Sequence, residues 1–207
     1  YYDTTAGALQ CYGSGGWGAC GVSPNVGVNL IPEYAGAVLN GSIWPGNNVG
    51  TLTSDICSYS LNINRVAPAE VVCSGATDDY NYYRWTSPQA NSQTYGIFVR
   101  SQLPATFKTF GSDISLMGRT TSTASNAGSG VANGVRFSMF RANGTQCGAT
   151  TTVTTATNTW ATGSILMNTA NACGFTAGEV VTFRIDVTSS NKSIAYASNL
   201  SFLTIGK

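Results

Sequence analysis

Carboxylates are the only side chains in this sequence that could carry acid–base chemistry. There is no histidine among the 207 residues, which excludes Ser-His-Asp and Cys-His nucleophilic sites and metal sites that need histidine ligands. A glycosidase would need two carboxylates facing each other across a cleft, about 5–10 Å apart. No two acids stand in a context that marks such a pair, so we predict a protein that is not an enzyme. The nine acids are Asp3, Glu33, Asp55, Glu70, Asp78, Asp79, Asp113, Glu179 and Asp186.

Asp78 and Asp79 are the acids that could bind a metal ion. Together with Asn81 or Asp55 they could ligate calcium through oxygen atoms. However, adjacent residues of a strand point to opposite faces, and no Asp-x-Asp-x-Asp loop is present. A solvated turn before a strand is the simpler interpretation. We therefore expect no required cofactor, and calcium at Asp78 and Asp79 is the alternative.

Aromatic residues supply the best candidate binding site. Sugars are held by aromatic faces that pack against their C–H faces, while amides and hydroxyls fix their orientation. The alternation of a strand would place Tyr82 on one face and Tyr83 and Trp85 on the other. The other interpretation is that these rings pack in the core or cover sheet edges, because aromatic residues favour strands. The candidate ligand-binding residues are Trp44, Tyr80, Tyr82, Tyr83 and Trp85.

The six cysteines predict disulfides rather than a zinc site, because no C-x-x-C pair occurs. Six cysteines allow 15 pairings. We favour the three nearest-neighbour pairs, each of which closes a short loop around a turn and contributes roughly 3 kcal/mol in the chain-entropy model. Persistent disulfides imply an oxidising, extracellular compartment. The predicted pairs are Cys11–Cys20, Cys57–Cys73 and Cys147–Cys173.

Composition excludes several classes of protein. Only 9% of the residues are charged, the formal net charge is +1, and 43% of the residues are hydrophobic. A chain of this kind is not disordered. The lack of a basic cluster argues against nucleic acid as a partner. No run of 18 apolar residues exists, so we predict no membrane insertion.

The elements that would position any site are clearest at the end of the chain, in residues 178–205. Apolar and polar residues alternate from Val181 to Thr188, which places Arg184 and Asp186 on the outward face of a half-buried strand. A turn and a second strand follow, so the sequence predicts a long antiparallel hairpin. Within each strand the apolar residues are expected to lie on one face. They are Val181, Phe183, Ile185 and Val187 in the first strand, and Ile194, Tyr196, Leu200 and Phe202 in the second.

Similar alternation recurs along the chain, for example at residues 135–141, where Val135 and Phe137 point inward and Arg136 outward. Turn signals separate ten or more short strands, and no segment has the period of a convincing amphipathic helix. The predicted fold is all-β, an antiparallel two-sheet β-sandwich of jelly-roll type preceded by a small disulfide-pinned β-meander. A connector bearing proline and glycine marks the boundary, so the predicted domains are residues 1–21 and 22–207.

Four sequons match the N-glycosylation pattern Asn-x-Ser/Thr. Two of them, Asn143 and Asn191, fall in predicted turns, whereas Asn199 falls inside the terminal strand. The possible glycosylation sites are Asn40, Asn143, Asn191 and Asn199.

Two passages resemble known proteins. YYDTTAGALQCY with GSGGWGAC resembles a short hairpin of phage-tail-like proteins and of very long secreted repeat proteins from uncultured small-genome bacteria. PEYAGAVLNG, YYRWTS, QTYGIFVRSQLP and GEVVTFRIDV are similar to the C-terminal β-sandwich module of the same surface proteins. The resemblance implies a terminal, outward-facing module on a cell surface and transfers no catalytic residue.

These observations predict a non-enzymatic extracellular module at the cell surface, for adhesion or for glycan or receptor binding. The alternative is a self-assembling structural subunit of a pilus-like extracellular filament, joined by β-strand exchange. The expected partners are a glycan, a cell-surface receptor or copies of the chain itself, and a homo-oligomer is expected in either case.

Overall fold

The computed structural model describes residues 49–55, 82–124, 131–154 and 156–206, together with the backbone of five strands nearer the N-terminus. Side chains are described from residues 49–52 and from residue 82 onward within those ranges. Three of the N-terminal strands form an antiparallel sheet of their own, the predicted meander. They are β1 (Tyr2–Asp3), β2 (Ala8–Gly13) and β3 (Gly16–Ala19). The predicted boundary at residues 21 and 22 lies outside the described residues, so the division into two domains stays a prediction.

A seven-stranded antiparallel sheet is built around the last strand, β15 (Ile194–Gly206). Its other strands are β4 (Asn25–Leu30), β6 (Thr51–Asp55), β7 (Tyr82–Thr86), β9 (Phe107–Phe110), β10 (Ile114–Thr120) and β13 (Ala161–Ile165). β15 pairs with β10 and β9 along one edge and with β7 and β4 along the other. β13 continues the sheet beyond β10, and β6 continues it beyond β7.

A five-stranded antiparallel sheet forms the second layer, in the order β12-β11-β14-β8-β5. Its strands are β5 (Leu39–Asn40), β8 (Gln93–Gln102), β11 (Gly134–Phe140), β12 (Gln146–Thr152) and β14 (Val180–Ser189). The inner faces of the two sheets share one apolar core. The chain passes between the sheets repeatedly, as in a jelly roll, and the predicted all-β two-sheet sandwich is confirmed.

β14 is the central strand of the five-stranded sheet, and its alternation is as predicted. The apolar side chains at 181, 183, 185 and 187 are between 0% and 3% exposed, while the polar residues at 182, 184 and 186 are only half-buried; Thr188, at the end of the outward series, is buried. On β11, Phe137 and Met139 likewise point into the core and Arg136 points outward. Period-two alternation therefore identified the inner face of this sheet from the sequence.

β14 and β15 do not form the predicted hairpin, and that prediction was wrong. They pair in different sheets, β14 with β11 and β8 and β15 with its own four neighbours. The connection between them turns through serines: the Ser193 backbone N–H donates to the Ser190 carbonyl at 2.8 Å, and the Ser190 N–H donates to Ser193 Oγ at 3.0 Å. Because both strands carry an apolar face, packing those faces against each other across the core buries more surface than pairing edge to edge.

The phase predicted for β15 was also wrong, because of a β-bulge. Between Ser198 and Ser201 the register with β10 shifts by one residue, and Asn199 has a positive φ of 46°. The extra residue reverses which side chains face inward. As a result Leu200 lies in the main core, whereas Tyr196 lies in a separate cluster on the outer face of the seven-stranded sheet.

One short helix, α1 (Met167–Ala172), was not predicted. Six residues are too few to show a helical period, and such a helix depends on tertiary contacts. Its N-terminal N–H, at Met167, donates to Asp113 Oδ1 at 2.8 Å. The amide of Asn171 accepts from the Phe110 N–H at 2.7 Å and donates to the Phe110 carbonyl at 3.2 Å, as a neighbouring strand would. Within the described residues no helix is long and apolar enough to cross a membrane.

Candidate functional site

Trp85, one of the predicted ligand-binding residues, belongs to the core. Its side chain is 1% exposed, and its indole N–H donates to the Gln93 carbonyl at 3.0 Å. Its ring packs beside that of Tyr95, with 5.1 Å between the centroids. An enclosed ring cannot offer a face to a sugar, so the prediction was wrong for Trp85.

Tyr82 is also buried, at 1% exposure, but in the cluster on the outer face of the seven-stranded sheet. Its ring meets Tyr196 edge to face, with centroids 5.2 Å apart, and lies 6.4 Å from the ring of Trp160. The guanidinium of Arg119 lies 5.6 Å from the centroid of Tyr196. The ring of Tyr82 is committed to packing, so the prediction that it binds a ligand was wrong as well.

The remaining predicted site residues divide between the core and the part of the chain that is not described. Tyr83 is half-buried, packs against the main core, and has its phenol pKa raised by burial. It therefore behaves as the packing interpretation predicts. Within the described residues, no three cysteine, aspartate or glutamate side chains gather as a metal site would require. Four predicted residues lie outside the described residues; they are Trp44, Tyr80, Asp78 and Asp79.

Cys147 and Cys173 form a disulfide, as the nearest-neighbour pairing predicted, with their Cα atoms 5.6 Å apart. The bridge joins β12 to the segment that follows α1. Close to it, Arg141 donates to both carboxylate oxygens of Glu179, at 2.9 and 2.8 Å, and to the Cys173 carbonyl at 3.3 Å. The side chains of Cys11, Cys20, Cys57 and Cys73 lie outside the described residues, so those two pairings stay predictions.

The sequons differ in their accessibility. Asn143 and Asn191 are exposed in turns, as predicted. Asn199 is half-buried in the bulge, and its amide N–H₂ lies 3.5 Å from the sulfur of Met117. A glycan on Asn199 would break that contact. The side chain of Asn40 is not among those described, and glycosylation of all four residues stays a prediction.

The outward face of the five-stranded sheet is where charged and polar side chains converge. Because directly paired residues of an antiparallel sheet share a face, the register of β11, β14 and β8 assigns its members. We call this surface the polar face; its residues are Thr94, Gly96, Phe98, Arg100 and Gln102 on β8, Gly134, Arg136, Ser138 and Phe140 on β11, and Val180, Thr182, Arg184, Asp186 and Thr188 on β14.

An ion pair occupies the centre of the polar face. Arg184 Nε donates to Asp186 Oδ1 at 2.8 Å, and the two side chains are 21% and 14% exposed. Residues two apart on a strand share a face, which lets the pair form within one strand. Beside it, Arg136 Nη2 donates to Thr188 Oγ1 at 3.2 Å, and Thr188 Oγ1 lies 2.9 Å from Thr94 Oγ1. Two hydrogen-bonded groups, the Arg184–Asp186 pair and the Arg136–Thr188–Thr94 group, thus lie side by side on this face.

Burial raises the pKa of the Asp186 carboxyl, and the attraction of Arg184 and then Arg136 only partly offsets this effect. Loss of hydration therefore outweighs the ion pair at this position. Gly96 lies directly opposite Asp186. A Cβ on Gly96 would lie 3.6 Å from Asp186 Oδ1, so any side chain at position 96 would contact the carboxylate.

The three arginines of the polar face lie on a diagonal. Arg136 is paired with Asp186, which is two residues beyond Arg184 on the same face. Arg100 is paired with Thr182, two residues before Arg184. From Arg136 to Arg184, and again from Arg184 to Arg100, the line moves to the adjacent strand and shifts by two residues along it. Diagonal neighbours of this kind are about 7–8 Å apart. The three positions therefore span about 15 Å in a line.

Sequence reasoning missed this convergence. It predicted correctly that Arg136 and Arg184 point outward, but it found no basic cluster, because the three arginines come from strands far apart in the chain. Arg100 lies near the end of an apolar strand and carries no motif. The register between β8, β11 and β14 is what brings them together, and no local pattern encodes it.

No protein-family model matches the chain, and no curated protein matches it. Among solved structures it is similar to the enzymatically active domain of tailspike protein 4 of bacteriophage CBA120, with a TM-score of 0.43 and 10% identity over 88% of this chain and 20% of that one. The chain thus spans about a fifth of the tailspike chain.

Two carbohydrate-binding modules are also similar to the chain. One is TmCBM61, solved in complex with beta-1,4-galactotriose, with a TM-score of 0.40 and 11% identity over 78% of this chain and 88% of the module. The other is the family 11 module of cellulase Lic26A-Cel5E of Clostridium thermocellum, with a TM-score of 0.38 and 12% identity over 87% of this chain and 95% of the module. With TM-scores this low, none of these likenesses assigns a function to the chain.

Proposed function

We propose that this protein is a non-enzymatic extracellular module that binds a glycan through the polar face and so serves adhesion at a cell surface. The observation that carries the proposal is the Arg184–Asp186 pair, held half-buried at the centre of a sheet face that points away from the core. A carboxyl group whose pKa is raised by burial, beside a specific charge partner on an outward face, makes this surface a candidate functional site.

The polar face has the groups that recognise sugar hydroxyls. A hydroxyl both donates and accepts, so a glycan needs acceptors such as the Asp186 carboxylate and donors such as the Arg136 guanidinium. The half-buried ring of Phe98 lies beside Gly96, with one ring carbon 3.4 Å from the position of a glycine Cβ. An aromatic ring next to these polar groups is the kind of apolar group that packs against the C–H faces of a sugar.

The state of the described carboxylates supports a binding role rather than catalysis. Asp186 is paired with Arg184, Glu179 accepts from Arg141 and the Thr176 N–H, and Asp113 accepts from the first N–H of α1. Carboxylates engaged in this way are poorly placed to act as a facing acid–base pair. The disulfide supports an extracellular location, because such bonds persist in oxidising compartments.

A glycan array followed by affinity electrophoresis tests the proposal. The wild-type chain is compared with the double variant Arg184→Ala/Asp186→Ala, which removes both partners and leaves neither charge unpaired. The matched control is Ser115→Ala/Ser201→Ala, which removes a 2.8 Å hydroxyl pair from the other sheet. We expect the first variant to lose binding and the control to keep it, with circular dichroism showing that both fold.

The proposal fails if the wild-type chain binds no glycan above a non-binding control protein. It fails equally if the Arg184/Asp186 double variant, folded as the wild type is, binds as tightly as the wild type does.

Self-assembly by strand exchange is the second candidate function. The observation that favours it is β4, which pairs with β15 along residues 25–30 and with no other described strand. A strand held at one edge only could be supplied by a neighbouring copy.

Paired cysteines test the exchange directly, because Asn29 and Ser201 lie opposite each other. In the variant Asn29→Cys/Ser201→Cys, a disulfide formed within one chain leaves a monomer on a non-reducing gel, whereas exchange gives covalent dimers or ladders. Light scattering on the wild-type chain supplies the oligomeric state independently. A monomeric cross-linked product together with a monomeric wild type would overturn the strand-exchange function.

A further inference from the structure

We infer that the glycan bound by the polar face is acidic: the geometry points to a linear polymer of carboxylated or sulfated sugars lying along the diagonal Arg136–Arg184–Arg100. This inference rests on the proposed function and adds the chemical class of the ligand.

The polar face is more positive than the chain as a whole. Its charged members are three arginines and one aspartate, a formal charge of +3 − 1 = +2, whereas the whole chain carries +1. The rest of the chain is therefore net negative by one charge. In a protein with only ten basic residues, gathering three of them on three adjacent strands creates a local field that attracts anions.

The two ends of the diagonal supply the attraction, because Asp186 already neutralises much of the charge of Arg184 at its centre. Arg100 is exposed at one end of the diagonal. At the other end Arg136 uses Nη2 for Thr188, and a guanidinium has five N–H donors, so donors remain for a ligand. Guanidinium groups match carboxylate and sulfate oxygens in paired hydrogen bonds.

The length of the diagonal favours a polymer over a small anion. Two diagonal steps cover about 15 Å, so no single carboxylate or sulfate can touch both Arg100 and Arg136. A chain that presents acidic groups at intervals can touch both at once, and linked contacts of this kind raise the affinity without any new type of interaction.

The carboxylate in the middle of the diagonal separates acidic glycans from nucleic acids. Every residue of a nucleic acid strand carries a phosphate, so a strand on this path would bring a phosphate against Asp186, where like charges in a half-buried site repel. An acidic glycan has hydroxyls between its charges. Those hydroxyls can donate to Asp186 while the acidic groups reach the arginines.

The test pairs each acidic polymer with a neutral counterpart of the same backbone. The probes in affinity electrophoresis are polygalacturonate and its carboxyl-reduced form, then dextran sulfate and dextran, with single-stranded DNA as a further polyanion. The wild-type chain is compared with Arg100→Gln/Arg136→Gln. The control is Lys108→Gln, which removes a charge from an exposed position on β9 in the other sheet.

We expect the wild type to bind at least one acidic polymer about tenfold or more tightly than its neutral counterpart. The Arg100/Arg136 variant should lose that difference, Lys108→Gln should keep it, and raising the salt from low to physiological concentration should weaken binding. The sulfated and carboxylated arms identify which acidic group is recognised.

The outcomes separate this inference from the proposed function. Equal binding to acidic and neutral polymers overturns the inference and leaves glycan binding intact. Tighter binding to DNA than to either acidic glycan overturns the inference in favour of a nucleic acid ligand. If Lys108→Gln weakens binding to the acidic polymers as much as the Arg100/Arg136 variant does, the attraction is non-specific and the inference is overturned. Failure to bind any polymer here overturns the inference, whereas the proposed function is removed by failure across the whole glycan array or by an Arg184/Asp186 double variant that binds as tightly as wild type.

Discussion

Deleting Asn199 is expected to prevent the native fold, because this one residue lets β15 contribute to two apolar clusters. Without the bulge the strand would continue in regular alternation, and the side chains after position 199 would turn to the opposite face. Leu200 and Phe202, now 2% and 4% exposed, would leave the core. Burial of such side chains stabilises by about 1.5–3 kcal/mol each, so the loss is about 3–6 kcal/mol before any cavity cost. That approaches the whole stability of a typical domain, about 5–15 kcal/mol.

Substitutions at the same position separate backbone from side chain. Asn199 has a φ of 46°, which glycine adopts freely and a β-branched residue does not. We expect Asn199→Val to cost about 1–2 kcal/mol, which lowers the Tm by about 2–8 °C for a chain of this size. Asn199→Gly should stay within about 0.5 kcal/mol of wild type, since asparagine and glycine both tolerate this conformation.

Thermal and urea unfolding followed by circular dichroism measure these changes. Leu203→Val, a similar change on the same strand beyond the bulge, is the control and should cost less than Asn199→Val. The reasoning is refuted if the deletion variant unfolds with the midpoint and urea dependence of wild type, or if the valine and glycine variants at 199 are equally stable.

Three further predictions concern charge and covalent linkage. The hydrogen bond from Arg141 lowers the pKa of Glu179 from 4.5 to about 2. The ionised Glu179 therefore stabilises the fold above about pH 4.5, and this stabilisation is lost as the pH falls toward 2. The Tm difference between wild type and Glu179→Gln should be largest at neutral pH and vanish near pH 2. Asp186 has a raised pKa, so its ionisation opposes folding as the pH rises. Asp186→Asn should therefore raise the Tm at neutral pH, with no gain below about pH 3.8, the ordinary pKa of an aspartate. Cys147→Ser/Cys173→Ser opens a loop with a sequence separation of 26, which should cost about 3.5 kcal/mol in urea unfolding. With a reducing agent present, wild type and variant should unfold at the same midpoint, because the disulfides are then open in both. A variant as stable as oxidised wild type would contradict the loop-entropy argument.

Local pattern was enough to predict which residues of β14 face the core, but not which strand lies beside it. Val181 and Phe183 are apolar at a spacing of two, and that spacing alone determines the inner face. The same information is compatible with a hairpin partner or with a partner in the opposite sheet. The choice between the two depends on how the apolar faces of β14 and β15 meet, a property of the whole sandwich.

The bulge shows a second limit of pattern reading. Tyr196 and Leu200 are four residues apart, and regular alternation puts them on the same face. Their separation onto opposite faces comes from the single positive φ at Asn199. Asparagine is among the few residues that adopt this conformation readily, yet asparagine in a sequence marks turns far more often than bulges. Tyr82 and Trp85 escaped pattern reading for a related reason: an aromatic face suits a sugar and a protein core equally well, and in the structure both rings are packed, on opposite sides of β7.

The polar face consists of outward side chains on strands whose inward side chains form the core, and this affects how it would bind a ligand. Asp186 stands between Ile185 and Val187, which are 3% and 0% exposed, so its backbone is held by the packing of the core. Arg136 and Arg184 likewise alternate with buried residues along β11 and β14. A site on such strands is organised before the ligand arrives, whereas a site on loops loses conformational freedom on binding. The same arrangement makes it costly to change the backbone of the polar face, because any shift in register would expose the core side of the same strands. Specificity can therefore be altered most readily through outward side chains such as Arg100 and Arg136, whose replacement leaves the buried residues between them in place.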